Sequence, residues 1–191
     1  MINRITFLVL CATLLPYSAN AEGLLSYKPP KLDTLKSTHA GGGTRGLEVP
    51  KIQALAPKSA ALSSMDQPVL YWYSSELNPK IIELILIEEG ADKPLLEKQI
   101  TNHAGLTNIR LADNGVTLQQ GKSYQWSVSI LNDSNNSSAT LLYQKPVATL
   151  STIEQKVELG YWYDALDQLI LIHSPLANNL LKQIGLDVPT L

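Results

Sequence analysis

The sequence predicts a mainly β protein with an α appendage: an antiparallel β-sandwich followed by a short C-terminal helical hairpin. Two observations carry this. Between residues 68 and 150, short apolar runs of period two alternate with turn-forming strings; after Leu150 the apolar period becomes helical. Hydrophobic residues make up 45% of the 191-residue chain, enough to fill a core and to exclude wholesale disorder.

The strands follow in order. Val69 to Tyr73 is a short apolar and aromatic run suited to a buried strand, and Ile81 to Ile87 is β-branched but alternates less cleanly. Leu95 to Thr101 is a weak strand, and Thr107 to Leu111 sets Ile109 and Leu111 on one face. Lys122 to Leu131 is the clearest, with Tyr124, Trp126, Val128 and Ile130 on one face and Gln125, Ser127 and Ser129 on the other. Ala139 to Lys145 supplies another. Asn78-Pro79, Gly90, Asn102 to Gly105, Asp113-Asn114-Gly115 and Asn132 to Ser138 are the turns between them.

One signature sharpens the fold class to immunoglobulin/fibronectin-III-like. Leu118-x-x-Gly121-x-x-Tyr124-x-Trp126 looks like the corner that enters strand F of those sandwiches. There the tyrosine hydroxyl bonds to backbone upstream and fixes the arch between sheets. Gly121, Tyr124 and Trp126 are accordingly read as structural.

The helical segment spans 151–191. Ser151-x-x-Glu154 reads as a capping box, and Gly160 ends the short helix after it. Tyr161 to His173 resumes with Trp162, Ala165, Leu166, Leu169, Ile170 and His173 on one stripe. Ser174-Pro175 opens a third helix whose Leu176, Leu180, Leu181 and Ile184 face inward, with Gly185 at its end. Helices this short cannot bury their own stripes and must pack on the sandwich or on a partner.

Ahead of the sandwich lie two further segments. Residues 1–21 combine Arg4, an apolar run from Ile5 to Leu15, Pro16 and Ala19-Asn20-Ala21, the pattern of a secretory signal peptide cleaved after Ala21. This run of eleven residues, interrupted by Thr6 and Thr13, is short of the ~20 that span a bilayer. Cys11, the chain's single cysteine, lies within that run, so the mature chain from Glu22 has none. This places the protein in the periplasm or outside the cell. Residues 22–67 form an extended, mobile leader rich in Pro, Gly, Ser, Thr and Lys, with a short strand near Lys51 to Leu55.

Little in the chain proposes chemistry. The net charge of −2 provides no basic field for nucleic acid. His39, His103 and His173 have no partner at metal-ligand spacing, so neither a metal nor a cofactor is predicted. Asp164 and Asp167 share a helix, but exposed carboxylates at a helix start more commonly answer its dipole than perform acid–base work. The string Gly41-Gly42-Gly43-Thr44-Arg45-Gly46 lacks the Lys and Ser/Thr of a phosphate loop, since Leu47 and Glu48 follow it. It is read as a linker or recognition element. Tyr161 and Tyr163, flanking Trp162, are the outward members of an aromatic triplet and candidates for binding. Trp162 and Ala165 are structural.

The leader with GGGTRG, the Tyr71-Trp72-Tyr73 strand and Trp162-Tyr163-Asp164-Ala165-Leu166 together resemble a bacterial family of secreted or envelope proteins, domain-of-unknown-function family 928. The resemblance covers nearly all the mature chain. The family has no assigned activity, so it implies no catalytic residue. Val69 stands where that family usually has Thr, and the Cys residues common in its sandwich are missing here. Gly160-Tyr161-x-x-x-Ala165 with Pro175 also looks like the second helix of a single tetratricopeptide repeat. The preferred reading is a non-enzymatic envelope module that binds unidentified protein partners through leader and helical tail, with no membrane span after signal removal. The alternative is a carbohydrate-binding or hydrolytic protein with a loop-borne site drawing on Arg45, the aromatics and Asp133 or Asp164. A chain cleaved after Ala21 begins at Glu22; N-terminal sequencing of the exported protein checks this, and retention of Met1 to Ala21 would contradict it.

Overall fold

A computed structural model describes residues 25–31, 51–134, 136–186 and 188. The signal-like segment 1–21 and the GGGTRG string lie outside the described residues.

The chain is mainly β, with two sheets followed by three short helices. The first sheet has the order β1-β3-β6, with β1 at Ile52–Ala54, β3 at Val69–Ser74 and β6 at Gly105–Arg110. The second has the order β2-β8-β7-β4-β5, with β2 at Ala61–Ser63, β4 at Lys80–Glu88, β5 at Leu96–Asn102, β7 at Ser123–Ile130 and β8 at Asn136–Tyr143. Both contribute to one core.

Sequence pattern explains the long strands. In β7, Tyr124, Trp126, Val128 and Ile130 are buried while Gln125, Ser127 and Ser129 are not. Ile82, Leu84 and Leu86 of β4 are fully buried, alternating with Glu83 and Ile85. β3 is buried on both faces except at Tyr73, because a helix covers its far side; this accounts for its unbroken apolar run.

Not every pairing is antiparallel. β2 runs parallel to β8, with Ala61 opposite Leu141, whereas a wholly antiparallel arrangement was expected. β1 and β2 belong to different sheets, so the chain crosses between them over residues 55–60 and arrives at the free edge of β8. Both strands precede residue 68: β1 is the short strand expected near Lys51 to Leu55, whereas β2, three residues long, carries too little period to stand out. β8 begins at Asn136 rather than Ala139, and Asn132, in the turn ahead of it, takes a left-handed conformation (φ 62°). Pairing with β7 then overrides the low β-propensity of Asn136 and the two serines after it.

The turn into β7 is fixed by two bonds. The Gln119 amide donates to the Tyr124 hydroxyl at 2.8 Å. The Gly121 amide donates to the Tyr143 carbonyl at 2.8 Å, with Gly121 in the left-handed region (φ 77°). Each of three fully buried tryptophans also places its indole N–H on a different element. Trp72 donates to Asn102 Oδ1 at the end of β5 and so links the two sheets.

The helices are α1 (Ile153–Glu158), α2 (Trp162–Leu171) and α3 (Leu176–Gln183). The cap of α1 is Thr152, not Ser151: Thr152 Oγ1 accepts from the Gln155 amide while Gln155 Oε1 accepts from Thr152 N–H. Ser151 bonds the same Gln155 side chain from one residue further out, so the box is shifted by one position from the predicted Ser151/Glu154 pair.

Tyr124→Phe leaves the Gln119 amide without its partner and is expected to cost ~1–3 kcal/mol. Trp126→Ala is expected to cost ~3–5 kcal/mol. Urea unfolding measures both, and an unchanged midpoint for Tyr124→Phe would contradict the bond's role.

Candidate functional site

The most densely bonded region is the start of α2, where the side chains of four of its first six residues reach separate parts of the sheets. Trp162 Nε1 donates to the Leu55 carbonyl at 2.9 Å, just after β1. The Tyr163 hydroxyl accepts from Trp126 Nε1 at 2.9 Å and donates to the Thr140 carbonyl at 3.3 Å, joining α2 to β7 and β8. Asp164 accepts from Ser63 Oγ and from the Ser64 amide, each at 2.9 Å, at the end of β2. Asp167 accepts from the Tyr71 hydroxyl of β3 at 2.7 Å. Ala165 is fully buried, and its small side chain suits the close approach of helix and sheet.

Burial tunes these groups. Desolvation holds the Asp164 carboxyl above its ordinary value; the bonds from Ser64 and Ser63 and the charge of Lys156 oppose the shift. The Tyr71 hydroxyl is raised by desolvation first, then by its bond to Asp167 and that group's charge, against the pull of Arg110. The Tyr163 hydroxyl is raised by burial.

This geometry revises the reading of three residues. Asp164 is not an exposed carboxylate answering a helix dipole: it is buried and bonded to the end of β2. Tyr161 and Tyr163 are not outward-facing, for both are buried. Tyr161 packs with Leu62 and Leu142, and Tyr163 fills the space over β7 and β8. The stripe residues Trp162, Ala165, Leu166 and Leu169 are buried as expected, while His173 at its end is exposed; Tyr161 and Tyr163 are buried as well because α2 starts inside the fold, where several of its sides are covered. The exposed large apolar side chains of the helical segment are instead Leu159, Leu171 and Ile172. Gly121, Tyr124, Trp126, Trp162 and Ala165 occupy the turn and core positions already described.

A second constellation was not legible from composition. Residues 25–31 run extended across the C-terminal helices, without regular secondary structure. Leu25 is buried in the main core. Gln183 at the end of α3 reads the backbone on both sides: its Oε1 accepts from the Tyr27 amide at 2.8 Å, and its Nε2 donates to the Leu25 carbonyl. The Tyr27 ring meets Trp162 edge-on, with centroids 5.0 Å apart. The Lys28 amide donates to the Val157 carbonyl at 3.2 Å, and its ammonium pairs with Glu158 at 3.2 Å. Pro30 sits on Gly160, where a Cβ would lie 2.8 Å from Pro30 Cδ and the backbone is left-handed (φ 83°). Both facts demand glycine there. Residues 25–31 of the leader are thus extended, as the sequence suggests, but docked rather than mobile. The available signal was the apolar pair Leu25 and Tyr27 just ahead of Pro29-Pro30 in an otherwise polar stretch.

Of the predicted binding string, Gly41 to Gly46 with Thr44 and Arg45 lies outside the described residues. Among the described residues, no group of three or more His, Cys, Asp or Glu side chains could hold a metal ion, and no helix is long and apolar enough to cross a membrane.

A family model described as Domain of Unknown Function (DUF928) matches residues 40–188. No curated protein matches the chain.

The folded state holds a proton on Asp164 more readily than the unfolded chain does, so stability falls as pH rises through the folded-state value. Asp164→Asn is expected to flatten that decline just above the ordinary carboxylate range. Asp164→Ala leaves Ser63 and Ser64 without their acceptor and is expected to cost ~1–3 kcal/mol at neutral pH. Thermal unfolding across pH checks both.

Proposed function

The chain belongs to the DUF928 family, and from that premise we propose that it is a non-enzymatic interaction module of the bacterial envelope, periplasmic or secreted. One observation carries the proposal: the face formed by α1, α2 and α3 holds an extended peptide, residues 25–31, by main-chain bonds, an aromatic edge contact and a proline seated on a glycine. That is the manner in which extended segments are recognised generally. The groups that could serve catalysis support the same reading, because Ser63, Tyr71, Asp164 and Asp167 are engaged in tying strands to α2. The signal-like residues 1–21 support export.

We take the β-portion to be an immunoglobulin-like sandwich. The strand orders β1-β3-β6 and β2-β8-β7-β4-β5, with one edge strand parallel to its neighbour, support this. So does the Tyr124 bond at the turn into β7.

In this reading, Arg45 and the exposed apolar residues of the tail contact the partner. The full-length chain, exported and crosslinked in cells, is expected to capture a defined envelope protein. Arg45→Ala and Leu171→Glu/Ile172→Glu should reduce that capture without moving the melting temperature of the purified protein. Retention in the cytoplasm, or capture unchanged by both variants, would overturn the proposal.

A further inference from the structure

We propose that two copies of this chain pair by exchanging residues 25–31, each segment docking on the partner copy's C-terminal helices in place of its own. The inference rests on the peptide-holding face just described, and it names a second copy as the occupant.

The docked contact is a self-contained, two-piece interface. The polar and ring contacts of the segment go to Val157, Glu158, Trp162 and Gln183, and Pro30 packs on Gly160; all five lie on or beside the three helices. A partner's helices present the same five groups. Residues 32–50 lie between the segment and Lys51, just before β1, in sequence. At ~3.3–3.6 Å per residue, those can span up to roughly 60–70 Å. A domain of this length has a radius of gyration of about 16 Å. A neighbouring molecule's groove is therefore within covalent reach.

The energetics make exchange accessible. The segment is extended, with Pro29-Pro30 restricting its unbound conformations, so docking it costs little ordering entropy. Its hold is incomplete, because the Tyr27 hydroxyl is buried without a hydrogen-bond partner. The Lys28–Glu158 pair is more than half exposed on both sides and adds register rather than strength. Reciprocal exchange between two copies keeps every contact and closes on itself as a two-fold dimer. Docking within one chain has the advantage of an effective concentration on the order of millimolar. Exchange therefore grows as protein concentration approaches that value.

The Lys28–Glu158 pair supplies its own probe. A zero-length carbodiimide joins an ammonium and a carboxylate in contact. Full-length chains of natural isotopic composition and ¹⁵N-labelled chains are mixed at concentrations from about 10 μM to about 1 mM, crosslinked and digested. Crosslinks joining residue 28 of one label to residue 158 of the other are expected, increasing at least tenfold across that range. They should disappear in Tyr27→Ala/Pro30→Ala, whose fold is verified by circular dichroism. Crosslinks confined to same-label chains at every concentration would overturn the proposal. So would the lack of any 28–158 crosslink, or mixed-label crosslinks that persist in the double variant. The readout involves no other protein, so its failure is separate from failure of the partner-capture experiment.

Discussion

The structure depends on burying the first turn of α2. Successive helix residues point about 100° apart, so Trp162, Tyr163 and Asp164 sweep over half the helix circumference. All three are buried, which requires covering surface on several sides at once. β2, the start of the loop after β1, and the β7–β8 pair supply it through the Ser63, Leu55, Trp126 and Thr140 bonds. Each contact fixes the rotation of α2 about its axis, and together they leave a single orientation. An isolated helix of ten residues has little stability of its own, so the sheets determine where it lies.

That orientation propagates to the rest of the helical segment. Trp162 donates inward to Leu55 and offers its ring outward to Tyr27. Gly160, two residues earlier, takes a left-handed conformation and receives Pro30 against its bare Cα. α1 and α3 then complete the seat for residues 25–31 through Val157 and Gln183. The N-terminal segment and the C-terminal helices are therefore one packing unit, although most of the chain lies between them in sequence.

Much of this architecture could be read from residue order. The β7 alternation, the turn at Gly121 and the three helices with their Gly and Pro boundaries rest on local periodicity, which survives into the fold. What escaped was non-local. Asp164 has the sequence appearance of a solvated helix-start acid; its burial follows from Ser63 and Ser64, roughly a hundred residues away. Tyr161 and Tyr163 look outward-facing by helical phase, and phase is informative only when one side of a helix is wet. The docking of Leu25 and Tyr27 needs a groove that exists only after α1–α3 have packed. The parallel β2–β8 edge likewise depends on a crossing between sheets that three residues of strand cannot announce.

The string Trp162 to Leu166 is also a specific part of the family resemblance, and its geometry says what such a string is for. Burying a carboxylate costs several kcal/mol unless hydrogen bonds offset it; Asp164 is held by two. Burying a tyrosine hydroxyl or an indole N–H carries the same requirement, and Tyr163 and Trp126 meet it for each other. Such groups can be removed only together, since loss of one leaves its partner buried and unsatisfied. Together these bonds hold the first turn of α2 in one orientation against the sheets. Those anchors also create a surface, the groove over Trp162 and Gly160, which holds residues 25–31 in extended form.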